Sequence, residues 1–299
     1  MADLAVGEYL PLAEGIYLEG LAVDHAREVI WYSDVIGGGI HGVKPDGTKV
    51  SSFNESRMWT GGVMLNHDGA VLSTGQGGIM WNNPDTGKSG WLIEELDGEP
   101  INGINEMWPD GAGGIWFGTI DMENIIAAKD TRPAALYRLT VDRKVIRMAG
   151  ADIYFPNGFA HDPVRRRFYL SDSFRKAWSF DVTDDLSLAN QQPLLERDDC
   201  DGLALDVQGN VWITGFRSPG ILRRIAPDGA VLAHVPTPPG CTTQVRFGGD
   251  GHDTYIVVCP ADGGDSLKEG KELQGVSTLY RGRSETAGLR IPPAQFSLD

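Results

Sequence analysis

One unit recurs six times along this chain, and that recurrence narrows the possible folds more than any single motif. Each copy carries an apolar pair after a turn rich in Gly, Asp, His and Pro: Ile30-Trp31, Val71-Leu72, Ile115-Trp116, Phe168-Tyr169, Val211-Trp212 and Thr254-Tyr255. The second members are separated by 41, 44, 53, 43 and 43 residues. Two further strand signals follow each pair and flank a second turn, such as Pro45-Asp46-Gly47, Pro84-Asp85-Thr86-Gly87 or Pro227-Asp228-Gly229. These residues suit turns because they preset φ, bond their own backbone or tolerate positive φ. Two hairpins per repeat give four strands, and a period in the forties reads as propeller blades. The expected fold is therefore all-β: a six-bladed β-propeller with four antiparallel strands per blade, one domain over residues 1–299. A ring must close without a free edge. The segment from Gly7 to Leu18 is expected to complete the last blade, with the C-terminal segment as its competitor.

Such a ring has a central axis where one residue per blade can meet. Counting back eleven or twelve residues from each apolar pair reaches the start of the innermost strand. The residues there are Glu19, Thr60, Asn105, Asn157, Asp201 and Thr243 or Gln244, all polar. The variation by one is what a β-bulge produces. Glu19 and Asp201 gathered at an axis call for a cation, because uncompensated buried carboxylates are costly. Two carboxylates with two amide carbonyls form an all-oxygen set, which suits a hard ion such as Ca²⁺. Thr60, Thr243 and Gln244 read more simply as the lining of a wet channel. The second strand of each blade returns to this face, so the loops after it surround the site. Two are long, Asp121 to Pro133 (with Met122, Ile125 and Ile126) and Cys259 to Gly275, and either could act as a lid.

The formal net charge of −15 argues against nucleic acid or an anionic membrane surface as partner. Cys200, Cys241 and Cys259 are odd in number and lack clip spacing, which fits reduced thiols in a cytoplasmic protein. The N-terminus lacks the basic start and apolar stretch of a secretory signal. His25, His67, His161 and His252 fall in hairpins remote from the site face, which disfavours a Ser-His-Asp arrangement or a His-based zinc site. Arg165-Arg166-Arg167 reads as a solvated hairpin edge on the far face.

Several of these segments resemble motifs of the regucalcin/gluconolactonase family of six-bladed propellers. They are Glu19-Gly20, Asn105-Glu106 with Gly114-Ile-Trp-Phe-Gly-Thr119, Pro156-Asn157-Gly158, Asp201-Gly202-Leu203-Ala204 with Gly209-Asn210-Val211-Trp212, and Phe247-Gly248-Gly249. Singly they are short; five in order at blade spacing are specific. The resemblance implies one divalent metal held by Glu19, Asn157 and Asp201, with Ca²⁺ favoured and Zn²⁺, Mn²⁺ or Mg²⁺ as alternatives. It implies that Asn105 touches metal or substrate and that Asp201 doubles as general base in opening a lactone. The chain departs from the family at Gly103, where an Arg is common, and at Glu106, where an Asp is usual. Trp59 and Met122 are expected to wall the pocket, with Asn105, Glu106 and Asp121 as further substrate contacts; a less polar lactone or ester suits this set. A monomer or weak homo-oligomer is expected. The rival readings are a non-catalytic calcium-binding propeller, a strictosidine-synthase-like condensing propeller, and a metal-dependent relative performing isomerisation, elimination or phosphotriester hydrolysis.

Overall fold

The computed structural model describes residues 4–130, 132–148 and 152–298. Four of its sheets are antiparallel and four-stranded, and each runs in chain order from an innermost strand outward. Their innermost strands are Leu18–Asp24, Thr60–Leu65, Ile104–Pro109 and Pro156–Asp162. A fifth sheet has six strands, ordered Tyr9–Gly15, Ser277–Arg283, Asp253–Cys259, Val231–Gly248, Val211–Ile225 and Cys200–Leu205. The expected six blade sheets are thus five hydrogen-bonded ones, beside a small hairpin of Glu95–Leu96 with Glu99–Pro100.

The difference arises in two long strands. Val211–Gly215 pairs with Cys200–Leu205, whereas Ile221–Ile225 of the same strand pairs with Val231–Pro236. The second long strand then turns its other half, Cys241–Gly248, to Asp253–Cys259. Bridges from Gly215 to Thr242 and from Pro219 to Cys241 join the two repeats, so strand continues through Ser218-Pro219-Gly220. Around the axis the innermost strands touch in cyclic order: Leu18–Asp24, Thr60–Leu65, Ile104–Pro109, Pro156–Asp162, Cys200–Leu205, the inner half of Val231–Gly248, and back to Leu18–Asp24.

The N-terminal strand closes the ring. Tyr9–Gly15 runs antiparallel to Ser277–Arg283 and supplies the outer edge of the last repeat, as expected. The C-terminal segment instead straps the far face. Leu289 N–H donates to Leu205 O, Ala294 N–H to Leu65 O and Gln295 N–H to Gly113 O. Asn66 and Phe296 exchange two bonds of 2.9 Å.

The core lies between the sheets. Trp31, Trp116, Tyr169 and Tyr255, the second members of four repeated pairs, rank among the largest fully buried side chains, and Leu72 and Trp212 are buried too. Truncating one of these large aromatics to Ala should cost about 3–5 kcal/mol.

Candidate active site

Every innermost strand breaks register near its start: Leu18/Leu21, Thr60/Val63, Ile104/Met107, Pro156/Phe159, Cys200/Leu203 and Thr242/Gln244. A bulge inserts an unpaired residue and re-aims its side chain. Five of these bulges hold polar residues found by spacing, Glu19, Asn105, Asn157, Asp201 and Thr243; in the second repeat the bulge holds Gly61 and Gly62, and Thr60 stays paired with Gly75.

The glycine that follows Glu19, Asn157 and Asp201 has a packing reason. A Cβ on Gly20 would lie 2.3 Å from Gly61 O, one on Gly158 2.2 Å from Asp201 O, and one on Gly202 2.3 Å from Gln244 Oε1. Neighbouring innermost strands approach too closely there for any side chain. Two repeats break the pattern, with Glu106 and Gln244 in place of glycine. Their side chains extend into the hollows that glycines leave: a Cβ on Gly62 would lie 2.1 Å from Glu106 Oε1.

Glu106 consequently lies outside the cavity lining, in contrast to the substrate contact expected of it. It is buried and ion-paired with Arg246 at 3.3 Å. Gln244 Nε2 donates to Glu106 Oε2 (3.3 Å), and Arg246 Nη1 donates to Gln244 Oε1 (2.6 Å). Arg246 also lies over the Trp108 ring, 5.1 Å from its centroid. This group blocks the axis beneath the site. Thr243 likewise turns away from the cavity, its hydroxyl donating to Leu18 O.

Above the plug lies a cavity of about 350 Å³ whose lining includes Glu19, Thr60, Asn105, Asn157 and Asp201. The structure therefore brings the three expected metal ligands and Asn105 into one chamber. Asn157 Nδ2 donates to Ser173 Oγ (3.2 Å), and that hydroxyl donates to Cys200 O (2.7 Å). The Asn157 amide nitrogen is thereby held toward Ser173. Asn105 Nδ2 makes a long bond of 3.4 Å to Pro156 O. Asp201 is buried, and its Oδ1 has no hydrogen-bond partner among the described residues. A buried carboxylate oxygen without a partner is costly, so this atom marks a place for a cation or a proton.

The electrostatics agree. Burial pushes Glu19 up to about 8, with the Glu106 charge adding to it. Burial likewise raises Asp201 well above the carboxylate range, reinforced by Glu19, Glu106 and Asp199. Two carboxylates that resist ionisation together are what a divalent ion would relieve. Among the described residues no three His, Cys, Asp or Glu side chains form a metal-binding group. A cation here would draw on two carboxylates with amide oxygens, a donor set that suits a hard ion.

Aromatic and aliphatic side chains wall much of the chamber, joined by the charged Lys129, Asp130, Arg175 and Lys268; Arg175 lies over the Tyr154 ring and Lys268 over that of Phe174. Trp59 and Met122 line it as expected. Asp121 does not; its carboxylate binds Arg132 and Asn124, and the Arg132 guanidinium holds it well below its usual range. Met58, Met107 and Trp108 also lie outside the lining. Sequence reasoning missed the ring cluster of Phe155, Phe174 and Phe216, in which Phe174 contacts both others at centroid distances of 5.6 and 5.0 Å. Trp59 (φ 57°) and Phe174 (φ 69°) hold left-handed backbone conformations. For a bulky residue this costs about 1–3 kcal/mol, and such strain gathers at functional sites.

Both long loops reach the chamber. One forms the short helix Met122–Ile126, and the other forms Gly263–Lys268, which the sequence did not suggest. The glycines of the second helix lie flat on two rings: a Cβ on Gly264 would be 2.9 Å from Phe216, and one on Gly263 3.0 Å from Tyr17. The loops meet where a Cβ on Gly270 would stand 3.1 Å from Ala128 Cβ.

A propeller with a carboxylate–amide floor defines a recognisable class. This chain belongs to the SMP-30/gluconolactonase/LRE-like family, whose model matches residues 18–259. It is similar to a 6-deoxy-6-sulfogluconolactonase of Pseudomonas putida, 26% identical over 238 residues, covering 78% of this chain and 79% of that one. Among solved structures it resembles a gluconolactonase of Xanthomonas campestris (TM-score 0.75, 21% identity, 94% of this chain and 89% of that one). It also resembles regucalcin, described as a calcium-binding protein, of Agrobacterium tumefaciens (TM-score 0.77, 19% identity, 98% of each chain). At these identities the two structures bear on the fold alone.

Proposed function

We propose that this protein is a six-bladed, divalent-metal-dependent hydrolase that opens a lactone or a related ester. The observation that carries the reading is the unpartnered, buried Oδ1 of Asp201, in a chamber shared with Glu19, Asn157 and Asn105. Glu19, Asn157 and Asp201 would hold the ion, with Ca²⁺ favoured by the oxygen donors and Zn²⁺, Mn²⁺ or Mg²⁺ as alternatives. When bound, the cation supplies Lewis-acid polarisation of the carbonyl and keeps both carboxylates ionised.

The chain's own groups do the rest. Ionised Asp201 accepts a proton from water as the water oxygen bonds to the carbonyl carbon. The bond from that carbon to the ring oxygen then breaks. The proton returns from Asp201 to the departing oxygen, so a hydroxy acid leaves and the carboxylate is restored. Asn105, which lines the same chamber, would donate to the carbonyl oxygen as negative charge builds on it. Ser173 holds the Asn157 amide in its orientation, and the plug of Glu106, Gln244 and Arg246 keeps water from entering along the axis.

Acid release measured with a pH indicator, across sugar, aliphatic and aryl lactones, tests this reading. Turnover is expected with an added divalent ion and is expected to vanish on chelation. Silence across the panel in the presence of every ion would overturn it and leave a non-catalytic calcium-binding propeller as the better account.

A further inference from the structure

We infer that the chamber selects lactones or esters carrying an aryl-sized apolar substituent, and that Met122 sets this preference by occupying the side-chain space at position 103. The inference rests on the hydrolase reading above and adds the substrate class.

Three independent observations converge on it. The first is steric. A Cβ on Gly103 would lie 2.8 Å from Met122 Cβ and 3.3 Å from Ile120 Cγ1. The close atom is the root of the Met122 side chain and not its flexible end, so any residue larger than glycine must move the turn that begins at Met122. The wall next to Asn105 is therefore thioether and alkyl surface, with no hydrogen-bond donor from position 103. Ile120 and Ile125 continue that surface along the lining. A ligand rich in hydroxyls would lose water there without replacement bonds, whereas an apolar one would gain from burial.

The second observation is an aromatic wall. Phe155, Phe174 and Phe216 form a continuous ring surface on the chamber. Phe174 is held in a left-handed conformation, anchored by its N–H to Asp198 O at 2.8 Å, and Trp59 is similarly anchored to Val35 O at 2.6 Å. A fold that maintains two strained aromatics on one cavity keeps those rings in fixed positions. Fixed ring faces and edges suit a flat apolar group.

The third is the roof. The two long loops approach each other at Ala128 and Gly270, and Leu267 joins the lining from the second helix. The chamber beneath them, of about 350 Å³, has room for a fused bicyclic ligand.

Calorimetric titration of the full chain, in the presence of Ca²⁺, with two inert lactams provides the test. One is 3,4-dihydroquinolin-2-one, the lactam counterpart of an aryl lactone; the other is gluconolactam. The aryl lactam is expected to bind at least about tenfold more tightly, the scale on which a shaped apolar pocket discriminates. Met122→Ala should narrow that ratio by about fivefold or more, while the volume-conserving Met122→Leu retains it. Equal or tighter binding of gluconolactam, no binding of either lactam, or an unaltered ratio in Met122→Ala would overturn the inference. Acid release from 3,4-dihydrocoumarin separates it from the parent reading. Retained aryl-lactam preference without ring opening would remove the hydrolase reading and leave the selectivity standing.

Discussion

Asp201 and Asp206 stand five residues apart at opposite ends of one innermost strand, and the protein treats them in opposite ways. Asp206 accepts bonds from the N–H groups of Gln208 and Asn210, from Trp212 Nε1 and from Arg224 Nε. These bonds outweigh burial and hold its carboxyl below the usual range. The far ends of other innermost strands repeat the device: Asp24 with Arg27, Asp110 with Arg138, Asp162 with Arg165. At the near end Asp201 keeps an oxygen without a partner. One face thus spends its aspartates on closing turns, and the other leaves a carboxylate free to act. Other buried side-chain atoms of the described residues also lack a partner, Asp172 Oδ2 among them, but of these residues Asp201 alone lines the chamber, which is why function is sought there.

The sharpest way to break this comparison is to remove one charge at a time. Asp201→Asn should lower turnover by about 10²–10⁴-fold, the usual worth of a positioned general base. It should leave the thermal midpoint of the metal-free protein unchanged or raised. Asp206→Asn should do the reverse, losing about 3 kcal/mol by breaking a buried pair while kcat holds. Activity lost in both variants, or stability lost in both, would erase the distinction.

The pH dependence of stability should also differ in sign between the two ends. Glu19 titrates near 8 when folded, above its ordinary 4.5, so its contribution is fully present below about pH 4.5 and is lost as pH rises through 8. The metal-free protein should therefore become less stable over that window, and Glu19→Gln should flatten the decline. Asp206 has the opposite shift; its contribution is present above the ordinary Asp range and disappears as pH falls through its lowered value. Asp206→Asn should flatten the acid limb alone. Thermal melts from pH 3 to 9 read both limbs at once, and identical limbs in wild type and Glu19→Gln would contradict the raised titration of Glu19.

The smallest effect concerns the plug. Glu106→Asp draws the carboxylate back from Arg246 and Gln244 and should cost about 1–2 kcal/mol. Substrate affinity should change little, because Glu106 does not line the cavity. A large rise in KM with stability intact would return Glu106 to the substrate.

Much of this was legible in the sequence because it is periodic. The repeated apolar pairs located the second strand of every repeat, and counting back from them reached the bulged polar residues. The Gly after Glu19, Asn157 and Asp201 was readable as a pattern; its cause, the close approach of neighbouring strands, needed coordinates. What stayed hidden depends on contacts between distant residues. Arg246 lies 140 residues from Glu106, so nothing local betrays their pairing. The fusion of the last two repeats follows from strand continuing through Ser218-Pro219-Gly220, residues that ordinarily signal a turn. The helix Gly263–Lys268 opens with two glycines and depends on the Phe216 and Tyr17 rings beneath it. Left-handed Trp59 and Phe174 carry no sequence signal, since bulky residues seldom adopt that conformation.

Asp201 and Glu19, which line one chamber, are the proposed cation ligands. Calorimetric titration of the metal-free protein with Ca²⁺, repeated in buffers of different ionisation enthalpy near pH 7, tests that assignment most directly. The account predicts one ion per chain, proton release on binding because Glu19 titrates near 8, and loss of both in Asp201→Asn and Glu19→Gln. Unchanged stoichiometry and affinity in both variants, or no uptake of Ca²⁺, Zn²⁺, Mn²⁺ or Mg²⁺ by the wild-type chain, would contradict it.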